Sequence, residues 1–157
     1  IWHVNEYASL VHETPENPAA QTPIRPAVSR LGLSARQLSF MARDLQTYFE
    51  RQQPYLDPAL DLQHVANACG YTRNQMSYLL NQVLGQTFYR YVNQARLRHV
   101  LAAMDAAVSP LKVDEVAFAA GFNSLSAFYS CFRRHTGQSP KAYARHISLR
   151  ARAQDVP

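Results

Sequence analysis

Two stretches of this sequence repeat one another at a nearly constant offset. Gly70-Tyr71-Thr72 recurs as Gly121-Phe122-Asn123, and Val65-Ala66 recurs as Val116-Ala117, both 51 residues further on. After a one-residue slip the offset is 52, and Met76, Leu79, Leu80 and Val83 answer to Phe128, Cys131, Phe132 and His135. Gly85 then answers to Gly137, Thr87 to Ser139 and Tyr91 to Tyr143. A pattern of i, i+3, i+4, i+7 is one buried stripe of an amphipathic helix. Two copies of one small helical unit therefore follow each other, and any fold for the chain must accommodate both.

The second copy shows what the unit is. Its helix runs from about Ser124, with Asn123 or Ser124 supplying an N-cap oxygen. Gly121 sits where a tight turn between two helices needs a positive φ. The face turned away from the stripe carries Ser126, Tyr129, Ser130 and Arg133. Gly137 ends the helix, and Ser139-Pro140 opens the next with proline at the first helical position. A helix, a glycine turn and a second helix with a small polar outer face form a helix-turn-helix signal. His135 is expected at the core edge, and Cys131 as a small core hydrophobe.

The remaining segments arrange themselves around these units. Residues 1–33 are an irregular, proline-rich linker, punctuated by Pro15, Pro18, Pro23 and Pro26. Residues 34–57 form an amphipathic connecting helix and turn: Ser34 caps it, and Leu38, Met41, Leu45, Tyr48 and Phe49 share one face. That face must bury against something. Docking on the following domain is the simpler reading; dimerisation or contact with a preceding region are the others. Pro54 and Pro58 stop this helix, and Asp61 caps a short one carrying Leu62, Val65 and Ala66 inward. The first recognition helix is expected over residues 73–84, with Asn74, Ser77, Tyr78 and Asn81 outward and Arg73 at the entrance.

Thr87 then caps a long helix to about Met104 with apolar residues on two sides: Phe88, Tyr91, Val92 and Ala95, and then Leu97, Leu101 and Met104. A helix of that kind is expected to bridge two cores, with a single broad buried face as the alternative. Ser109-Pro110 breaks the chain before the second unit, and Val113, Val116, Ala117 and Ala120 pack its first helix. Residues 148–157 are a tail, frayed beyond Tyr143. The fold class is all-α.

Charge and composition narrow the function. At 157 residues and 47% hydrophobic, the chain can bury one core or two small ones. Residues 1–86 carry six Lys/Arg against seven Asp/Glu, whereas residues 87–157 carry ten against four. A basic C-terminal half suits a polyanion, although a solvated basic face is the plainer alternative. No run of 18 apolar residues and no signal-peptide pattern is present, so a cytoplasmic chain is expected. It begins at Ile1, as a fragment of a longer protein would. Cys69 and Cys131 are the only cysteines, and the six histidines form no cluster with them. No phosphate loop or nucleophile arrangement is apparent, so no catalytic residue, metal or cofactor is expected.

The stretches LDLQHVANACGYTRNQMSYLLNQVLGQTFYRYVNQARL and VDEVAFAAGFNSLSAFYSCFRRHTGQSPKAYAR resemble the C-terminal DNA-binding domain of the AraC/XylS family of bacterial transcription regulators. The resemblance covers residues 58–147, and the run FRRHTGQSP carries most of its specificity. The pattern DPALDL…NQVLGQTFYRYVNQARL is similar to a subset whose regulatory N-terminal part lies in the membrane, which would anchor a parent protein in the inner membrane. The resemblance implies two helix-turn-helix subdomains joined by the long helix, entering successive major grooves of promoter DNA. It also implies RNA polymerase as a partner and a regulatory input that lies outside this chain or in residues 1–52; the 34–52 helix offers a homodimer as one assembly.

Base contacts implied by the resemblance fall on Arg73, Asn74, Ser77 and Tyr78 in the first unit. In the second they fall on Leu125, Ser126, Tyr129 and Ser130. Many relatives carry arginine where Tyr78 and Ser130 stand, which lowers the strength and strictness of readout expected there. Phosphate contacts fall on Arg133, Arg134 and Lys141, with backbone N–H groups near Thr72, Thr87, Ser124 and Ser139. Arg96 matches an arginine with a structural role, expected as a packed ion pair. The alternative from another class is a degenerate helix-turn-helix pair that docks RNA polymerase or another regulator instead of reading DNA.

Overall fold

Ser34 begins the first helix, α1 (Ala35–Gln52), through a capping box. Its hydroxyl accepts from the Gln37 N–H at 3.2 Å, and Gln37 Oε1 accepts from the Ser34 N–H at 2.7 Å. The helix stops where Gln53 turns left-handed, at φ 47°, ahead of Pro54, which has no N–H to continue the ladder. A 3₁₀ turn, Pro54–Leu56, follows. This computed structural model describes the backbone of residues 32–107 and 111–154 and the side chains through 147. The linker expected over residues 1–33 therefore lies almost wholly outside the described residues, as does the Ser109-Pro110 break.

The stripe of α1 is buried at Met41, Leu45 and Phe49. Phe49 packs edge-on against Tyr91 with ring centroids 4.9 Å apart, and it stacks on Tyr55 at 6.2 Å. Tyr71, in the first inter-helix turn, donates its hydroxyl to Asp44 at 2.5 Å. That bond, with burial behind it, pushes the Tyr71 pKa up to about 12. The stripe is thus covered by the first helix-turn-helix unit.

That unit comprises α2 (Leu62–Ala68) and α3 (Arg73–Tyr78), the latter widening into a π-helical turn, Leu79–Val83. Asp61 caps α2 by accepting from the His64 N–H at 2.7 Å. Val65, Ala66, Met76, Leu79 and Leu80 form its interior. Thr87 then caps α4 (Phe88–Asp105), accepting from the Arg90 N–H at 3.3 Å. The first half of α4 buries Val92 and Ala95. Its second half gives Leu97, Val100 and Met104 to a second core with Ala117, Ala120, Phe122, Phe128 and Phe132. One 18-residue helix, about 27 Å long, is thereby a wall of both cores.

The second unit is α5 (Val113–Ala119), α6 (Leu125–Thr136) and α7 (Pro140–Gln154). Phe128 lies at its centre, with Phe122 at 5.2 Å and Phe132 at 5.6 Å, all edge to face. Tyr143 of α7 closes on Phe132 at 5.5 Å. Among the described residues the chain is helical without strands.

Four expectations change. Val83 is 47% exposed and His135 is exposed, so the stripe ends one turn earlier in both copies. The first recognition helix is α-helical only to Tyr78 before it widens. Arg96 is buried against carbonyl oxygens instead of a carboxylate. Helical backbone continues past Tyr143 to Gln154, where alanine, leucine, arginine and glutamine all favour it.

Candidate nucleic-acid interface

Each second helix, α3 and α6, turns one side to its core and leaves the other polar. On α3, Arg73 and Asn74 are exposed while Ser77 and Tyr78 are half-buried. One turn on, Asn81 is exposed, and its side-chain amide donates to the Ser77 carbonyl at 2.9 Å and to Ser77 Oγ at 3.2 Å. Asn81 belongs to this surface, although it was grouped by sequence only with the outward face and not with the base contacts. Its periodicity with Asn74 and Ser77 was the available signal.

On α6, Ser126, Ser130, Arg133 and Arg134 are exposed in one strip. Leu125 and Tyr129 are different: both are half-buried and pack on the second core. The Tyr129 hydroxyl donates to Asp114 of α5 at 2.9 Å. That hydrogen bond, then burial, raises its pKa, so the phenol stays neutral and braces α6 on α5. The structure therefore brings six of the eight base-contact positions to accessible polar faces and uses Leu125 and Tyr129 partly for packing.

The starts of α3, α6 and α7 are capped by side chains, whereas Lys112 at the start of α5 makes no cap hydrogen bond. Thr72 accepts from the Gln75 N–H at 3.2 Å and gives its own N–H to Gln75 Oε1 at 3.0 Å. Ser124 accepts from Ala127 at 3.3 Å and Ser139 from Ala142 at 3.2 Å. Each cap satisfies the third N–H of its helix and leaves the first two for an anion, except in α7, where Pro140 at the first position has no N–H and only that of Lys141 remains. Lys141 is exposed on the first turn of α7. Tyr89, 75% exposed, and Arg90 stand beside Thr87 at the start of α4 and were not singled out by sequence.

Cys131 lies on the inner side of α6. Its thiol is half-buried and donates to the Asn93 carbonyl at 3.6 Å. Burial raises its pKa, while Arg134 and Arg90 both pull it down. Cys69 is half-buried too, and burial followed by the charge of Asp44 pushes its thiol up. Neither thiol has the depressed pKa of a nucleophile. Among the described residues no group of three or more His, Cys, Asp or Glu could hold a metal ion, and no helix is long and apolar enough to cross a membrane.

Comparison with known proteins agrees with this arrangement. A family model described as a helix-turn-helix domain matches residues 55–146. The chain is 35% identical over 104 residues to the uncharacterized HTH-type transcriptional regulator YijO of Escherichia coli (strain K12), covering 64% of this chain and 36% of that protein. It is 29% identical over 103 residues to the regulatory protein SoxS of Salmonella typhimurium, covering 66% of this chain and 94% of SoxS. The match to the melibiose operon regulatory protein of E. coli K12 is 28% over 107 residues and spans 35% of that protein. The chain thus spans about a third of the length of YijO and of the melibiose regulator, and nearly all of SoxS.

Two solved structures share the fold. A transcriptional regulator of the AraC-type DNA-binding class from Chromobacterium violaceum superposes with TM-score 0.56 at 21% identity, over 69% of this chain and 96% of that one. A DNA-binding transcriptional dual regulator from E. coli K-12 gives 0.58 at 16% identity, over 69% and 93%. With the family model spanning residues 55–146 and two capped helix-turn-helix units beneath it, the chain belongs to the AraC/XylS family of sequence-specific DNA-binding transcription regulators.

Proposed function

We propose that α3 and α6 enter successive major grooves on one face of a duplex and read two half-elements about one helical turn, 10–10.5 bp, apart. The observation that carries this reading is the paired geometry: two capped helices, each with a buried stripe and a polar outer face, built on the same wall, α4. Arg73 is placed for a bidentate contact to guanine and Asn74 for adenine, while Ser77 and Tyr78 supply neutral hydroxyls. In the second unit Ser126 and Ser130 read bases and Leu125 meets a thymine methyl. With its proton given to Asp114, Tyr129 can meet a base only as an acceptor, and the same bond holds α6 on α5.

Phosphates flanking these contacts meet Arg133, Arg134 and Lys141, with N–H groups next to Thr72, Thr87, Ser124 and Ser139. A regulatory region outside this chain supplies the signal, and RNA polymerase is the partner that receives it. If the chain dimerises through α1, it does so by the outer face, where the Arg36 and Arg43 guanidinium groups lie 5.7 and 5.9 Å from the ring of the 45%-exposed Phe40, because the stripe is already covered. A sedimentation mass that stays monomeric at high concentration removes the dimer.

The test is selection from random duplexes at physiological salt, followed by binding across a salt series. Two enriched half-elements one turn apart are expected. Arg133→Ala with Arg134→Ala should leave the selected sequence unchanged, weaken binding and flatten the slope of log K against log salt by about 1.8, since each lost phosphate contact accounts for about 0.9. Salt-sensitive binding without any enriched sequence would mean that the chain grips phosphate only. No binding would favour a protein-docking role.

A further inference from the structure

Three elements far apart in sequence meet at Arg96. The residue lies on α4 and is 6% exposed, a rare state for an arginine. Its Nε donates to the Tyr55 carbonyl and its Nη2 to the Asp57 carbonyl, both at 2.8 Å. Nη1 reaches Asn93 Oδ1 at 3.4 Å. The Arg96 guanidinium carbon lies 6.0 Å from the ring centroid of Phe122, which belongs to the second unit. The turn that leads into the first unit is thus fixed to the joining helix and, through the same guanidinium, to the second.

Gly121 closes the joint from the other side. A Cβ built on it would stand 2.3 Å from the Tyr55 carbonyl oxygen and 2.8 Å from that of Leu56. The second inter-helix turn is therefore laid directly on the backbone of the 54–56 turn, and only a glycine permits that approach. At Gly70, the equivalent position of the first unit, nothing lies within 4 Å. The repeat is symmetric in sequence, but this contact is made once, between the second unit and the turn that leads into the first.

We propose that the Arg96–Tyr55–Gly121 joint sets the phase between the two recognition helices, making Arg96 the positioning residue for half-element spacing. The inference rests on the DNA-reading function proposed above. One added base pair moves a half-element by about 3.4 Å and turns it by about 34°. A fixed joint cannot follow that displacement without losing one half-element, whereas a joint that slides can. The delocalised, forked guanidinium suits this role because it holds two carbonyls in one plane; a lysine ammonium keeps the charge but loses the fork.

The experiment measures affinity for the selected duplex and for versions with one base pair inserted or removed between half-elements, using the full chain and its Arg96→Lys and Arg96→Gln variants. Wild type should discriminate against both altered spacings by on the order of tenfold or more. Arg96→Lys should reduce that ratio to within about threefold, while duplexes with one half-element scrambled are bound as by wild type. A flat spacing profile in wild type overturns the proposal with no variant needed. A profile that falls in parallel at every spacing in Arg96→Lys also overturns it, since Arg96 would then support folding alone. Failure to select any two-element site is a separate result, which removes the DNA reading and this proposal with it.

Discussion

A Gly121→Ala chain should melt about 10 °C or more below the parent, while Gly70→Ala loses only a few degrees. Both glycines have positive φ, 91° at Gly121 and 77° at Gly70, so each substitution meets the left-handed cost of about 1–2 kcal/mol. Only at Gly121 does the new methyl also strike backbone, at 2.3 Å from a carbonyl oxygen that accepts from Arg96. Relieving the clash means moving either the 54–56 turn or the start of α6. Strain and overpacking together then cost roughly 2–6 kcal/mol. Thermal melts of the two variants check this, and equal losses would show that the close approach is not maintained in solution. In DNA binding, Gly121→Ala should lose the advantage of simultaneous contact, since the displaced part lies between the two reading helices.

Much of this architecture could be read from the chain, and the exceptions have a common cause. The duplicated stripe identifies Met76, Leu79 and Leu80 with the buried Phe128 and Phe132 because burial on a helix is a local, periodic property. The caps at Ser34, Asp61 and Thr87 were legible for the same reason, and of Asn123 and Ser124 the structure uses Ser124: a side chain three residues from its N–H is fixed by local geometry. Arg96 was not. Its partners are carbonyls 41 and 39 residues away, and backbone acceptors carry no sequence mark. Tyr129 looked like a reading residue because it lies near the polar strip, yet its hydroxyl is bound to Asp114, 15 residues earlier. Val83 and His135 continue the period yet are exposed, because the periodic pattern alone does not say where a stripe ends. Periodicity thus locates the two reading surfaces, while the contacts that orient them relative to each other are non-local.

Phe128→Ala should leave the chain with one working arm. Phe128 is fully buried, with Phe122, Phe132 and Tyr129 at ring separations of 5.2, 5.6 and 5.4 Å. Truncating such a residue costs about 3–5 kcal/mol in lost transfer energy and cavity. A unit of roughly 50 residues has only about 2.5–7.5 kcal/mol of stability to lose, at 0.05–0.15 kcal/mol per residue. The loss falls on the second core alone, because the first is built from Met41, Leu45, Val65, Met76 and Leu80, none of which belongs to the cluster around Phe128. The shared wall, α4, remains held at its first half by Val92 and by the Phe49–Tyr91 contact. Hydrogen exchange should therefore show fast amides in α5 and α6 with protection retained in α1 to α3, and melting should split into two transitions. Binding to the selected duplex should fall to the level of a duplex whose second half-element is scrambled. If all amides instead exchange together and melting stays single, the two cores form one cooperative unit, and α4 transmits the damage from one half to the other.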